Sequence, residues 1–290
     1  MPKTATPSIA GTPSAGQQLV VVAIDDLQVD HSYHRPSDPR WVARKAKVLD
    51  PNMYQAPTVC ERPAGMFVVD GHGVLELAKA AGHTYAYVRV LDGLSYDEEV
   101  RLYLDLNGNH RPLTALEKHR ALVILGDPIA LAIERVLDAR GLTVSSTSGK
   151  LNITAIATLR YAWGSAGTAR DRRVVSGHAL ANGEQVLQWA LDSLSPLLNK
   201  GESASLVYSK LNLNALIWLR RNAESVPDAR TMARALSGAS VYSLRKALED
   251  FDRSKRARNG IRLARVLNAG AGAPVVVLPQ HGDSPEGDED

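Results

Sequence analysis

Residues 67–82, FVVDGHGVLELAKAAG, constrain the fold of this chain more than any other stretch. Phe67–Asp70 has the apolar, β-branched content of a short strand, Gly71-His72-Gly73 turns the backbone, and Val74–Ala81 has the composition of a helix closed by Gly82. A strand that passes through small residues into a helix leaves free amide N–H groups at the positive end of the helix dipole. The stretch therefore predicts a cradle for an anion, a phosphate or a nucleotide, on a domain that mixes strands and helices.

The flanks support that mixture. LVVVAIDDL (19–27) reads as a fully buried strand, followed by an exposed loop HSYHRPSDP and a short helix over 41–49. APTVCE (56–61) and 66–69 form the arms of a hairpin turned at Gly65, and TYAYVRVL (84–91) alternates as a further strand. Ser95 caps a helix through Glu98–Leu104. Beyond Arg111 the pattern is helical only. Thr114 and Glu117 make a capping box before 118–125, Asp127 and Pro128 start a helix ending near Gly141, and amphipathic segments fit 152–163, 183–193, 205–223 and 241–268. The expected fold class is α+β: a small mixed-sheet domain over 18–112 and a helical domain over 113–269. Residues 1–17 and the acidic segment 270–290 lack the apolar content to pack and read as disordered and flexible.

Composition narrows the function classes. The one cysteine, Cys60, excludes a disulfide framework and a multi-cysteine zinc site, and its apolar neighbours mark it as a core thiol. No apolar run approaches the ~18 residues of a membrane span, and the first residues hold no signal-peptide core, so a cytoplasmic protein is expected. The net charge is only +3, but ten Lys or Arg face four acids between Asp228 and Val266, and the last eight residues carry five acids. Arg245, Lys246, Arg253, Lys255, Arg256, Arg258 and Arg262 would spread around a helix interrupted by Gly260, giving a broad basic surface for phosphate backbones or an ordinary solvated face. Trp163, Trp189 and Trp218 have the apolar neighbours of core anchors. Tyr33, Tyr85 and Tyr87 are candidates either for base stacking or for half-buried packing.

Three segments in order, DHSYHRPSD (30–38), VVDGHGVLELAKAAG (68–82) and LDLNGNHRPLTALEKHRAL (104–122), resemble the N-terminal domain of ParB-like proteins, which share a fold with sulfiredoxin. The resemblance covers residues 19–125 and looks most like members from actinobacteria and their phages. In that family the second and third segments hold nucleotide phosphates, as CTP in partition proteins or ATP in sulfiredoxins, with Mg2+, and some members are described as nucleases. Carried over, the resemblance implies a pocket of His34, Arg35, Gly71, Gly73, Asn107, Asn109 and Arg111, with DNA as a partner and a homodimer as a possible assembly. The residue types suit phosphate and nucleoside binding, since Arg forks onto phosphate, Asn orients a sugar or base, and His transfers a proton. Where family members place arginine after the turn, this chain has Gly73, Val74 and Leu75.

The enzyme alternative is a metal-assisted nuclease in which Asp70, His72 and His110 move protons or bind metal. A third reading is a scaffold with a vestigial pocket. No metal-ligand spacing stands out, and the nucleotide-hydrolase, zincin and serine-hydrolase motifs are missing. For a helix-turn-helix the best segment is 229–248 around Gly238, where Arg234 falls at a position that must hold a small side chain.

Overall fold

The computed structural model describes residues 17–34, 36–47, 55–109, 113–164, 176–198, 200–238, 256–269 and 275–278, together with 240, 242, 244 and 248. The architecture is α+β, in two compact units that divide between Leu125 and Gly126.

The first unit holds strands β1 (Gln17–Ala23), β2 (Leu27–Gln28), β3 (Thr58–Arg62), β4 (Gly65–Asp70) and β5 (Tyr85–Leu91). Its helices are α1 (Pro39–Ala46), α2 (His72–Ala80), α3 (Tyr96–Asn109) and α4 (Ala115–Ile124). The strands form one mixed sheet in the order β1-β5-β3-β4-β2. β1 runs antiparallel to β5 and β3 antiparallel to β4, while the β3–β5 and β2–β4 pairs are parallel.

Alternation along the strands sends side chains to two separate cores. On one face Val59, Val68, Val88 and Val90 pack with Leu75 and Ala78 of α2. On the other, Cys60 and Val69 pack with Tyr33, Val100 and Tyr103 of α3 and Ala121 of α4. That second core is why the boundary falls at 125 rather than 112. The capping box sits within the first unit, with Glu117 N–H donating to Thr114 Oγ1 at 3.3 Å and Thr114 N–H to Glu117 Oε2 at 2.7 Å.

The expectation of a fully buried first strand needs correction. β1 is an edge strand, and Val21 keeps 53% of its surface exposed because its side of the sheet is covered only further in, under α3 and α4.

The second unit contains α5 (Pro128–Asp138), a parallel two-residue strand pair β6 (Thr143–Val144) and β7 (Asn152–Ile153), and α6 (Ile156–Arg160), which runs into a 3-10 turn over Tyr161–Trp163. Then follow α7 (Gly177–Leu198), α8 (Ala204–Val207), α9 (Lys210–Asn222), α10 (Ala229–Ser237) and α11 (Arg256–Asn268). Two expected helices are broken. Residues 152–153 pair with β6 before α6 begins, and Ser209 restarts the chain as the N-cap of α9, accepting from Asn212 N–H.

The three predicted tryptophan anchors are buried in one core. Trp163 and Trp189 donate their indole N–H groups to the Leu180 and Pro227 carbonyls, at 3.0 and 2.9 Å.

Gly260 does not interrupt α11, which runs through it. Its role is close packing: a Cβ there would lie 2.1 Å from Trp218 Cε3 on α9. Gly183 of α7 is similar, with its Cβ position 2.3 Å from Trp163 Cδ1. In an open helix Gly→Ala stabilises by about 1 kcal/mol. Here Gly183→Ala and Gly260→Ala should each lower the denaturation midpoint, because overpacking costs about 1–3 kcal/mol. A rise in midpoint for either would show that the tryptophans yield freely.

Candidate functional site around the N-terminus of helix α2

The second motif forms as the sequence requires. β4 ends at Asp70, Gly71 takes the left-handed conformation at φ 86°, and α2 begins at His72. A Cβ on Gly71 would lie 2.9 Å from Pro57 Cα, so only glycine combines this φ with this approach. As N-cap, Gly71 offers no side chain to the first turn of α2, while its carbonyl accepts from Val74 and Leu75 at 2.9 and 3.1 Å. α1 packs beside α2 and sets the Trp41 ring against Gly73, 3.7 Å from where a Cβ would stand. Asp38 caps α1, accepting from Arg40 N–H at 2.9 Å ahead of Pro39 at the first helical position.

His72 opens α2 with Nδ1 3.5 Å from Ser37 Oγ and Nε2 3.6 Å from Glu76 Oε1. Burial lowers its pKa against the raising effect of Glu76. Its ring lies 6.2 Å from His34 and 6.4 Å from His31, edge-on to both.

His34 is the most unusual group at the site. It is only 6% exposed, with its ring 4.5 Å from Tyr103 and 4.9 Å from Tyr33. Burial first, then the neighbouring His72, depress its pKa to about 4, so it is neutral at pH 7. One ring nitrogen bonds the Val68 backbone, an interaction that favours the protonated form and so runs from ring N–H to carbonyl. Nε2 is then a bare acceptor, and it is buried without a hydrogen-bond partner.

The loop that carries His34 is held by a polar cluster. Asp30 Oδ1 accepts from Ser32 N–H and Oγ at 3.0 and 2.6 Å, and His34 N–H donates to the Asp30 carbonyl at 3.0 Å. Arg62 reaches Asp30 Oδ2 at 3.0 Å and forks onto Glu99, from Nε to Oε2 at 2.8 Å and from Nη2 to Oε1 at 2.5 Å. Tyr33 Oη also donates to Glu99 Oε1. The guanidinium lies over the rings of Phe67 and Tyr96, at 3.9 and 4.9 Å. Hydrogen bonding to Glu99 pushes the Arg62 pKa upward, and burial with the Glu99 bond does the same to Tyr33. Burial tends to raise Asp30, but the Ser32 and Arg62 bonds outweigh it and leave its pKa lowered.

Of the predicted pocket, His34, Gly71 and Gly73 come together here, with His72 of the nuclease alternative beside them. Asn107 lies one turn beyond Tyr103 on α3 and donates Nδ2–H to the Tyr103 carbonyl at 2.9 Å. Asn109 closes α3 and is described by its backbone alone. Arg35, His110 and Arg111 lie outside the described residues, as do Arg245, Lys246, Arg253 and Lys255. Arg256, Arg258 and Arg262 belong to α11. Asp70 pairs in register with Thr58, and the carboxylate beside His72 is Glu76.

Tyr33 is a core residue with its hydroxyl engaged, whereas Tyr85 and Tyr87 are exposed on β5. Cys60 is a buried thiol pushed up to about 11, chiefly by burial.

Sequence reasoning passed over Arg62, Glu99, Tyr103 and Glu76. One signal was available: Glu99 stands four residues before Tyr103, on the apolar stripe of α3, where an acid calls for a buried partner.

Among the described residues no group of three or more His, Cys, Asp or Glu could hold a metal ion, and no helix is long and apolar enough to cross a membrane. A family of unknown function, DUF6551, matches residues 30–171. Two solved structures match the chain at low TM-score. One, described as the pNOB8-like ParB N-domain, has a TM-score of 0.33 and 16% identity, covering 89% of this chain and 90% of its own. The other, a C2221 form of a Pnob8-like ParB-N domain, has a TM-score of 0.28 and 15% identity, covering 87% and 93%. No curated protein matches the sequence.

Proposed function

We propose that the first unit is a ParB-like nucleotide-binding domain and that the chain works in association with DNA. The observation that carries this reading is convergence. Two of the three segments meet at one place, and the start of the third adjoins it: His34 stands 6.2 Å from His72 at the start of α2 and 4.5 Å from Tyr103, the residue before the third segment, whose carbonyl accepts from Asn107.

The chemistry of the place asks for a two-part ligand. The uncapped first turn of α2 favours an anion, through its N–H groups and dipole. The vacant lone pair on His34 Nε2 asks for an N–H or O–H donor instead. A nucleotide brings both, as a phosphate and as a sugar hydroxyl or base amine. CTP and ATP are the first ligands to try. Mg2+ would enter on the ligand phosphates, which is how this ion is commonly held where a dedicated protein cage is lacking. Arg35 and Arg111 would supply the charge that other ParB-like proteins draw from arginines after the turn. The basic segment from Arg245 to Arg262 would meet DNA phosphates with little sequence preference.

Calorimetry with CTP and ATP, with and without Mg2+, tests the pocket. Losing the His34 acceptor in His34→Phe should weaken binding about tenfold, and Arg111→Ala by about 10- to 100-fold, as for neutral and charge-assisted hydrogen bonds. Failure of every nucleotide to bind, or to raise the denaturation midpoint, would sink the reading. DNA binding should show a steep salt dependence by fluorescence anisotropy. Cleavage of plasmid DNA that requires a divalent ion and is lost in His72→Ala would move the assignment to the nuclease alternative.

A further inference from the structure

We propose that β1 is a homodimer interface, across which two copies of this chain pair their edge strands antiparallel about a two-fold axis at Val21. Among the described residues, β1 is the last strand on its side of the sheet. The phase of its hydrogen bonding is fixed by Ile24 N–H, which donates to the Thr84 carbonyl at 2.9 Å and continues the β1–β5 register. In an antiparallel pair every second residue bonds the neighbouring strand. Val20 and Val22 therefore face β5, while Leu19 and Val21 turn their N–H and C=O groups outward; Ala23 turns its N–H outward, its carbonyl being taken up as the N-cap of the 3-10 turn Ile24–Asp26. The bond from Arg89 N–H to the Pro57 carbonyl at 2.7 Å agrees, because it directs the odd-numbered residues of β5 away from β1.

Exposed edges are ordinarily guarded by lysine, proline, a bulge or extreme shortness. β1 has none of these: its seven residues, QQLVVVA, hold no charge and no proline, and its register with β5 is unbroken. The side chains add to the exposure. Val21 is 53% exposed, and beside it on the same sheet face Tyr87 and Tyr85, opposite Val21 and Ala23, are 36% and 65% exposed.

The occupant that matches this strip is the strip itself. A two-fold at Val21 sets Val21 against its own copy, Leu19 against Ala23 and Val20 against Val22, so apolar faces apolar on both sides of the joined sheet. The N–H and C=O of Val21, and the Ala23 N–H with the Leu19 C=O of the other copy, then find partners. The absence of charge on β1 removes the like-charge repulsion that symmetry otherwise imposes at such an axis. The segment before β1 is a poorer partner, since Pro7 and Pro13 punctuate it and proline donates no ladder bond.

Sedimentation of the full chain at micromolar concentration, with Val21→Lys and Val21→Cys, tests this. Wild type should sediment as a dimer. Val21→Lys places two ammonium groups at the axis and should raise the dimer dissociation constant about tenfold or more. Residues facing across a hydrogen-bonded pair lie about 5.5 Å apart at Cα, within disulfide reach. Val21→Cys should therefore form a covalent dimer on mild oxidation, while a control cysteine in place of exposed Tyr96 should not. A wild-type monomer, a dimer untouched by Val21→Lys in a folded variant, or equal cross-linking of both cysteines would overturn the proposal.

Discussion

Replacing Arg62 with methionine is expected to cost the first unit about 3–5 kcal/mol, the usual penalty for removing one partner of a buried ion pair. The reason is what stays behind. Glu99 is 1% exposed, and Arg62 supplies two of the donors that hold it, with Tyr33 as a third. Methionine would keep much of the apolar contact with Phe67 and Tyr96 but none of the charge. The buried carboxylate would then face the desolvation cost with a single phenol. Asp30 would lose its 3.0 Å bond at the same time, loosening the loop that ends in His34.

Two comparisons separate charge from packing. Arg62→Met combined with Glu99→Leu should recover a large part of the loss, because no unpaired charge remains. Arg62→Lys should recover less, since one ammonium cannot fork onto Glu99 and reach Asp30 together. Denaturant titrations read by hydrogen exchange in peptides from 58–109 report on the first unit separately from peptides of α7. A loss below 1 kcal/mol for Arg62→Met, or an equal loss for the double variant, would show that the cluster is not what holds the loop.

The parts of this fold that were legible in the sequence are those whose causes are local. The strand, glycine turn and helix at 67–82 are encoded by residue type and φ requirement. The Thr114–Glu117 box and the Asp127–Pro128 start are encoded by hydrogen bonds spanning three residues. The features that escaped depend on distant partners. Arg62 finds Glu99 and Asp30 at separations of 37 and 32 residues. Whether LVVV lies central or at an edge depends on the strand order, on which an apolar run is silent. Gly260 resembles a helix breaker until Trp218 is seen against it. At the site, the order of three motifs was readable, but which nitrogen of His34 would be left bare was not, because that depends on the Val68 carbonyl.

Acid is expected to weaken the first unit through His34, beginning above the range where carboxylates titrate. An unfolded histidine has a pKa near 6.5, whereas His34 in the fold is held down to about 4. Across that window the unfolded chain binds a proton that the folded chain refuses, so stability rises with pH between about 4 and 6.5 and falls as pH is lowered through it. The full difference is about 3 kcal/mol at 1.36 kcal/mol per pKa unit. His72, lowered by burial, adds in the same direction. Asp30 does not confuse the result, because its lowered pKa confines its loss to pH values below the ordinary 3.8.

Unfolding free energies at pH 7.0, 6.0, 5.0 and 4.5 should therefore fall steadily in wild type. In His34→Phe, which keeps an aromatic ring beside Tyr33 and Tyr103 but binds no proton, the slope should flatten to the smaller share owed to His72. A slope unchanged in that variant would mean that His34 is already free to charge in the folded chain. Its Nε2 could not then be the neutral acceptor assigned to it. A nucleotide that donates to Nε2 should shift the curve further: by occupying the lone pair that a proton needs, it would depress the folded-state pKa and steepen the acid loss in wild type alone.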